Sequence, residues 1–479
     1  MTRTRWVLAA PDDSVAARLV ALRAELGVPE TFEDRVLAEA EQAAAGPDDA
    51  RLDVGERADL RELPFVTVDP PGSRDLDQAV HLERRAAAGY RVRYAIADVA
   101  AFVRPGGAVD AEAHARAETV YCPDRRVPLH PPVLSEGAAS LLPGQDRPAI
   151  VWTIDLDADG EVVAADVGRA TVRSTAQLDY AKVQRALDAA GPGDADSLPV
   201  LLAEVGTARA GLERARGGVS LSRPEQSVVP TGGGYALEYR ASLPVEGHNA
   251  QISLLTGTVA ARMMLDAGVG VLRTMPPADP EAVARLRRQA GALDVPWPDG
   301  ETYGEVLARL DPSSPQTAAF HVAAVGLFRG AAWTAFRGTP PEVVEHAAIG
   351  APYAHVTAPL RRLVDRYGLE ICLAACAGRD VPAWVLDALD TLGAQMAAGA
   401  QRGGAVDRAC TDLVEAAVLA PHVGAVMAGT AVSPDTVQLR DPAVVARCEG
   451  DPLPTGEHVR VRLVTADLDT RTVRFTLAS

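Results

Sequence analysis

The chain contains a single lysine, Lys182, few aromatic residues, and five cysteines without a Cys-x-x-Cys pair among its 479 residues. Such cysteines argue against a disulfide scaffold and are typical of a reducing cytoplasm. No apolar run approaches the ~20 residues needed to span a bilayer. Asp12 and Asp13 interrupt the short apolar stretch near the N-terminus, which argues against a signal peptide. The composition therefore predicts a cytoplasmic protein without a membrane segment.

Basic charge is supplied almost entirely by arginine and is outweighed by acid, so the formal net charge is −17. Net charge governs solubility and non-specific association, whereas a nucleic-acid site needs only a local basic channel. Arginines cluster at Arg84–Arg85, Arg91/Arg93, Arg125–Arg126, Arg285/Arg287/Arg288 and Arg361–Arg362. We expect most of these clusters to be solvated faces. The charge balance permits an RNA or DNA channel without arguing for one.

The chain is long enough for about three domains of ~150 residues each. Residues 1–62 predict a small helical module, either a winged helix or a simple lid, with a helix from Phe32 to about Ala45 capped by Thr31. Residues 63–173 read mostly as strands, because apolar residues alternate over Tyr90–Ile96 and Asp157-Ala158-Asp159-Gly160 is a strong hairpin turn.

From about residue 177 the pattern becomes helical. The predicted helices are Ser197–Arg216, Gly247–Ala267, Asp279–Ala292, Gln316–Arg329, Thr357–Ala377 and Pro382–Gln401. A sheet followed by many helices, without regular β-α alternation, predicts an α+β catalytic domain over residues 63–420.

Residues 421–479 contain short strands at even spacing, separated by Pro, Gly and Asp. This cadence predicts a five-stranded OB-type barrel, a fold often used to hold single-stranded nucleic acid. Phe475 is its only aromatic residue. Both an RNA-binding and a purely structural role therefore stay open for the barrel.

An acidic turn lies in the stretch Val66–Val80, which reads VTVDPPGSRDLDQAV. A short strand delivers Asp69, Pro-Pro-Gly-Ser forces a tight reversal, and Asp75 and Asp77 follow two residues apart. Carboxylates held together on a stiff turn repel one another unless a cation lies between them. Hard oxygen ligands of this kind suit Mg²⁺ or Mn²⁺. A solvated acidic loop is the alternative that these residues leave open.

Three stretches carry a family resemblance: the acidic turn TVDPPGSRDLDQA, the segment Tyr94–Arg147, and YAHVTAPLRRLVDRYG from Tyr353 to Gly368. In this order they resemble the RNB domain of the ribonuclease II and ribonuclease R family. The likeness covers about residues 63–420, and the predicted barrel also fits. It implies an RNB catalytic domain followed by an OB-type barrel, and a Mg²⁺-dependent hydrolytic exoribonuclease that degrades single-stranded RNA 3′→5′ to nucleoside 5′-monophosphates.

The resemblance also implies a metal site. Asp69, Asp75 and Asp77 match the family's metal-binding carboxylates, and Asp77 is expected to be catalytic. Gln78 stands where the family has a fourth aspartate. We expect its carbonyl to be a weaker ligand, so that one Mg²⁺ is loosely held and Mn²⁺ is a possible substitute.

For RNA, the resemblance implies that Arg361 holds the scissile phosphate as a catalytic and substrate-binding residue, with Arg362 beside it. A planar guanidinium suits two phosphate oxygens. Tyr121 matches a tyrosine that stacks near the RNA 3′ end, although a core aromatic is the commoner role of such a residue. His355 is most simply a structural histidine.

Three features depart from the family: Gln78, the pair Gln251 and Gly257 where a glutamate and an asparagine are usual, and a leader too short for paired cold-shock barrels. Two alternative functions follow from them. One is a catalytically weak or inactive RNB-fold protein that binds RNA or regulates another nuclease. The other is a phosphodiesterase acting on small nucleotides. The sequence leaves the oligomeric state open, with a monomer favoured.

Overall fold

The computed structural model describes residues 13–49, 52, 57–86, 88–219, 225–231, 234–311 and 314–478. In this part of the chain the helices are α1 (Asp13–Glu25), α2 (Asp34–Ala43), α3 (Ala108–Arg116), α4 (Tyr180–Asp188), α5 (Leu198–Ala215), α6 (Pro244–Ala267), α7 (Pro280–Ala292), α8 (Tyr303–Arg309), α9 (Pro315–Ala324), α10 (Leu363–Cys376) and α11 (Ala383–Leu419). None of these helices is both long and apolar enough to cross a membrane.

The strands are β1 (Ala58–Asp59), β2 (Phe65–Val68), β3 (Gln78–Arg84), β4 (Tyr90–Ala97), β5 (Val120–Tyr121), β6 (Arg126–Val127), β7 (Asp146–Leu156), β8 (Val162–Leu178), β9 (Glu225–Thr231), β10 (Gly234–Arg240), β11 (Val269–Thr274), β12 (Ala332–Arg337), β13 (Glu345–His346), β14 (Ala351–Pro352), β15 (Val426–Ser433), β16 (Thr436–Leu439), β17 (Val444–Glu449), β18 (His458–Asp467) and β19 (Thr472–Leu477). The α+β class is confirmed.

A six-stranded sheet in the order β1-β8-β2-β3-β4-β7 forms the centre of the fold. Strand β8, which is 17 residues long, pairs antiparallel with β7 as far as Arg173 and parallel with β2 from Ser174 onward. Because β2 and β7 share this partner, the sheet curls back on itself. The N–H of Asp69, the residue after β2, donates to the Leu178 carbonyl at 3.1 Å. The closure of the sheet therefore sets where the acidic turn begins.

Side chains of the sheet alternate between two hydrophobic cores on its opposite faces. In β4, Val92, Tyr94 and Ile96 pack in a core with α5, α6, α10 and α11, whereas Ala95 and Ala97 pack in the other core with α2. This is the period-2 pattern of a strand that is buried on both faces. The strand predicted over Tyr90–Ile96 is confirmed.

The predicted helix Pro382–Gln401 is too short, because α11 runs for 37 residues. Its glycines do not end the helix but allow a close approach to the chain before β5. A Cβ on Gly399 would lie 2.7 Å from the Cβ of Ala117, and a Cβ on Gly403 would lie 2.6 Å from Oε1 of Glu118. These contacts are tertiary, so the local sequence could not predict them.

The predicted helix Thr357–Ala377 begins too early, because α10 starts at Leu363. The residues before it form a loop that is held by a buried carboxylate: the Ala358 N–H donates to Oδ1 of Asp365 at 2.7 Å. The antiparallel pairs β9–β10 and β11–β12 lie in the part of the chain for which the sequence pattern predicts helices. Leu237 of β10 packs in the core of the C-terminal barrel. This tertiary contact stabilises the strand, and the local sequence does not reveal it.

The two N-terminal helices pack on different cores. Val15, Leu19 and Leu22 of α1 pack against α11 and against the β5–β6 hairpin, whereas α2 packs against the sheet. The predicted Thr31 cap is wrong, because the cap residue of α2 is Glu33, without a side-chain hydrogen bond. The Thr31 carbonyl instead accepts from Nη2 of Arg116 at 2.6 Å, so this position ties the leader to α3.

Strands β15–β19 form a closed barrel in the order β15-β16-β17-β19-β18. All pairs are antiparallel except β17 with β19. The predicted OB-type barrel is therefore confirmed. Phe475 is fully buried in its core, so this ring is not available for stacking on a base.

A buried carboxylate joins α11 to the barrel. Oε1 of Glu415 accepts from Nε2 of Gln226 in β9 at 2.6 Å and from the N–H of Val445 in β17 at 3.2 Å. Burial raises the pKa of Glu415 to about 7, against the lowering effect of these two donors. Three elements thus meet at a group that titrates near neutral pH.

Replacement of this carboxylate should change stability in a pH-dependent way. The folded state keeps a proton on Glu415 up to about pH 7, whereas an unfolded glutamate releases it near pH 4.3. The free energy of unfolding therefore falls as pH rises through this window, and the penalty is complete above it. We expect Glu415→Gln to exceed the wild type in stability by on the order of 1–3 kcal/mol at pH 8, and by little at pH 4.5.

Chemical denaturation of both proteins at the two pH values measures this difference. Glu457→Gln, a change at an exposed glutamate of the barrel, is the matched control and should show no such gain. A gain from Glu415→Gln of equal size at both pH values would show that removal of the buried charge is not its cause.

Candidate active site

The acidic turn has the geometry that its prolines and glycine predict. The Ser73 N–H donates to the Pro70 carbonyl at 3.2 Å, and Gly72 has φ +84°. A positive φ at the third position, after proline at the second, is typical of a type II turn. The Ser140 hydroxyl then holds the chain beyond it, accepting from the Leu76 N–H at 3.0 Å.

Asp77 is only 3% exposed and lies at the contact between two distant motifs. Its Oδ1 accepts from the Leu360 N–H at 2.7 Å, and its Oδ2 accepts from Nε of Arg361 at 3.0 Å. Burial raises the pKa of Asp77 to about 7, although Arg361 and the Leu360 N–H both lower it. This carboxylate and this guanidinium, 284 residues apart in sequence, form one site.

Asp69 and Asp75 complete the acidic group. Burial raises the pKa of Asp69 to about 6, Arg361 opposes this rise, and the nearby charge of Asp75 adds to it. Oδ2 of Asp69 is buried and accepts no hydrogen bond from the described residues. A desolvated carboxylate oxygen without a donor is a position that a cation would stabilise.

Arg126 is a site residue that the sequence did not single out. Its Nη1 donates to Oδ1 of Asp75, and its Nη2 donates to Oε1 of Glu136 at 2.6 Å. It belongs to one of the clusters expected to be mainly solvated, yet its side chain is only 24% exposed. Asp75 and Asp77 therefore each face an arginine.

The neighbouring Arg361 and Arg362 differ in their surroundings. Arg361 contacts Asp77 through Nε, and 44% of its side chain remains exposed. Arg362 forms two parallel bonds with the buried Asp365, at 2.7 and 3.0 Å. Arg361 thus keeps a solvent-facing side for a ligand, whereas the guanidinium of Arg362 is bound to Asp365 in the first turn of α10.

Tyr121 lies at the rim of the site on the β5–β6 hairpin, opposite Arg126, and is 53% exposed. Its neighbours Val120 and Val127 are buried in a cluster with residues of α1 and α11. The hairpin is therefore firmly supported from behind while the ring of Tyr121 faces outward. Such a ring can stack on a base.

Gln78 is held by hydrogen bonds at both ends of its amide. Nε2 donates to the Thr357 carbonyl at 2.6 Å, and Oε1 accepts from the Tyr94 hydroxyl at 2.5 Å. The Tyr94 hydroxyl lies 2.8 Å from the hydroxyl of Ser253 on α6. This network links the strand after the acidic turn to the loop that carries Arg361.

The other departures from the family also have structural partners. Nε2 of Gln251 donates to Oε2 of Glu213 at 2.5 Å. A Cβ on Gly257 would lie 2.1 Å from the ring of Tyr353, so glycine makes room for that ring. His355 packs edge-on against Tyr353 and accepts from the indole N–H of Trp333 at 3.2 Å, which are the surroundings of a structural histidine.

The donor set suits a divalent cation, although its side chains are not arranged as a metal cluster. Within the described ranges no three His, Cys, Asp or Glu side chains form such a group. The carboxylates of Asp75 and Asp77 point to arginines instead. Hard oxygen donors on one turn, and the unpartnered buried Oδ2 of Asp69, nevertheless fit Mg²⁺ or Mn²⁺.

Comparison with known families agrees with this arrangement. The RNB domain matches residues 57–374, and the RNase II-type exonuclease C-terminal S1 domain matches residues 422–478. The chain belongs to the RNB family. Ribonuclease R of Escherichia coli (strain K12) is 30% identical over 352 residues, which are 68% of this chain and 41% of that protein. The chain spans less than half the length of the curated relatives it matches.

Solved RNB structures share the fold. Mycoplasma genitalium RNase R in complex with ribose-methylated single-stranded RNA has a TM-score of 0.85 and 18% identity, and the match covers 97% of this chain and 78% of that chain. Yeast Ssd1, a pseudonuclease, has a TM-score of 0.68 and 15% identity, with 85% and 53% covered. At these identities the likeness concerns the fold alone, which active and inactive proteins share.

The hydrogen bonds of Gln78 generate a test of its expected role as a metal ligand. Because both ends of the amide are engaged, we expect Gln78→Met to lower the free energy of unfolding by about 1–3 kcal/mol through the unpaired Thr357 and Tyr94 groups. Affinity for Mn²⁺, measured by calorimetry, should not change.

Asp75→Asn is the comparison for this measurement, and it should weaken Mn²⁺ binding. A loss of Mn²⁺ affinity in Gln78→Met as large as in Asp75→Asn would instead support direct coordination by Gln78.

Proposed function

We propose that this chain is a hydrolytic exoribonuclease that degrades single-stranded RNA from its 3′ end and releases nucleoside 5′-monophosphates. The single observation that carries this proposal is the contact between Asp77 and Arg361, which brings the guanidinium expected to bind phosphate beside the carboxylates of the acidic turn. Membership of the RNB family supports it, because Ribonuclease R is among the matched relatives.

In this proposal Arg361 orients the scissile phosphate. Its Nε is held by Asp77, so the exposed side of the guanidinium meets two phosphate oxygens in a fixed plane. Asp77 in turn is fixed by the Leu360 N–H. A positioned donor of this kind stabilises the charge that develops on the phosphoryl oxygens.

Asp69, Asp75 and Asp77 would hold Mg²⁺, or Mn²⁺ in its place. A divalent cation supplies a water of lowered pKa and neutralises charge on the attacking and leaving oxygens. To bind the cation, Asp75 would have to give up its contact with Arg126, which would keep its contact with Glu136. Tyr121 stacks on a base close to the 3′ end and limits how far the strand advances.

The proposal also covers the cellular location and the oligomeric state of the protein. All five cysteines are free, which supports the predicted cytoplasmic location. We favour a monomer, as the sequence does.

A second candidate is an RNB-fold protein that binds RNA with little or no cleavage. Gln78 and the arginine partners of Asp75 and Asp77 favour it, since each reduces the negative charge available to a metal. A phosphodiesterase for small nucleotides is the third candidate. The cleavage experiment described next distinguishes it by its products.

Incubation of 5′-labelled single-stranded RNA with Mg²⁺ tests all three candidates. We expect a labelled strand that shortens step by step together with nucleoside 5′-monophosphates. Binding without cleavage would favour the second candidate, and cleavage of dinucleotides alone would favour the third. Asp77→Asn should bind RNA as the wild type does, because phosphate contacts elsewhere dominate affinity.

Turnover by Asp77→Asn should fall at least ~10²-fold, equivalent to ~2.7 kcal/mol of barrier. Asparagine keeps an oxygen for the Leu360 N–H but removes the charge that faces Arg361. Equal turnover in Asp77→Asn and wild type would remove Asp77 from the catalytic group. Chemical denaturation of both proteins separates lost chemistry from lost folding.

Tyr121 should control where degradation stops. Loss of one stacked base is worth roughly 1–3 kcal/mol, so Tyr121→Ala should change the length of the smallest product without abolishing cleavage. Tyr121→Phe keeps the ring and is the matched control, with a product pattern like that of the wild type. An unchanged pattern in Tyr121→Ala would leave the tyrosine with a structural role only.

A further inference from the structure

A groove of about 600 Å³ lies between α7 and the end of α9, away from the acidic turn in sequence. Its floor is made of small or apolar residues, namely Ala282, Leu286, Ala292, Ala323, Gly326 and Leu327. Its polar lining consists of Arg285, Arg288, Gln289 and Arg329, and no acidic residue of the described ranges contributes to it. The groove is thus an open surface with only positive charge.

The three arginines are exposed and have no acidic partner within the described part of the chain. Other arginines of this region differ: Nη2 of Arg287 lies 2.6 Å from Oδ1 of Asp299, and Nη2 of Arg309 lies 3.0 Å from Oε2 of Glu301. In a chain of net charge −17 the groove is a local reversal of sign. Unpaired guanidinium groups around a shallow floor suit phosphate groups, because each guanidinium can donate to two phosphate oxygens at once.

The helices that form the groove rest on the S1-type barrel. Helix α9 contacts β15, and a Cβ on Gly456 would lie 2.6 Å from Cδ2 of Leu293 at the end of α7. The barrel itself offers no exposed Phe, Tyr or Trp ring to a base, because its one such residue, Phe475, is buried. Phosphate contacts beside the barrel are therefore a better means of retaining a strand than stacking on it.

We propose that this groove binds the phosphate backbone of single-stranded RNA on the 5′ side of the segment that enters the acidic site. The inference rests on the proposed function, because an enzyme that takes the 3′ end leaves only the 5′ remainder to reach a second site. Arg285 and Arg288 are three residues apart on α7 and project from one face, so they can contact successive parts of one backbone. The flat floor accommodates riboses and bases without reading their sequence.

The test measures RNA binding in EDTA, so that the result does not depend on cleavage. Arg285→Gln/Arg288→Gln is compared with Arg287→Gln/Arg309→Gln, which removes the same charge from the paired arginines of the same region. Affinity is measured by fluorescence anisotropy over a series of salt concentrations with two labelled RNAs. The RNA of about 5 nucleotides can occupy only one site, whereas the RNA of about 25 nucleotides is long enough to reach a second one.

We expect the groove variant to bind the long RNA about tenfold more weakly at low salt. The slope of log K against log salt should fall by about 1.4, or ~0.7 for each lost contact with a single strand. Binding of the short RNA should not change, and the control variant should match the wild type with both RNAs.

Equal affinities of the groove and control variants for the long RNA would overturn the proposal. An equal loss of affinity for both RNAs would also overturn the proposal. The substitutions would then act on the acidic site or on the electrostatic potential of the whole protein, and not on a second binding site. Unchanged RNA binding with weakened binding of polyglutamate would assign the groove to an acidic protein segment instead. Absence of cleavage by the wild type would count against the proposed exoribonuclease activity. It would not affect the comparison of RNA affinities, which is made in EDTA.

Discussion

The site depends on one electrostatic constraint, the removal of carboxylates from water. Asp77 is buried at the junction of two motifs, and its charge is balanced by the Arg361 guanidinium and the Leu360 N–H. An ionised group placed there without these partners would cost several kcal/mol. The loop before α10 must therefore adopt one conformation, and Ala358 and Arg362 fix it through the buried Asp365. Much of the architecture around the site serves to keep these charges paired.

The same constraint gives a physical reason for a cation. Arg126 and Arg361 neutralise two of the three carboxylates, so the site is close to electrical balance before any substrate enters. In the proposed reaction a phosphate bound by Arg361 would bring further negative charge into this desolvated space. Arg126 and Arg361 are already paired with carboxylates, and the only lysine of the chain is Lys182. A hard divalent ion would neutralise the added charge without adding a flexible side chain.

Local chemistry made part of this structure predictable. The reversal at Pro70-Pro71-Gly72-Ser73, the alternation in β4 and the cadence of the barrel strands each depend on neighbouring residues, and the structure contains all three. The contact of Arg126 with Asp75 spans 51 residues, and nothing in the local sequence distinguishes Arg126 from Arg125. The full length of α11 could not be predicted for the same reason, since its glycines serve contacts with residues 117–118. At the start of α10 a signal was present, because Pro359 disfavours helix for the residue before it.

Helix α11 touches the chain before Tyr121 through Gly399 and Gly403, and the barrel through Glu415. Each residue of a helix turns the chain by about 100° and advances it by about 1.5 Å. Insertion or deletion of a single residue between Gly403 and Glu415 would swing one of these contacts to the wrong side. The number of residues between these two contacts is therefore fixed by the rotation of the helix as well as by its length. A graft of another barrel onto this chain would have to keep that number.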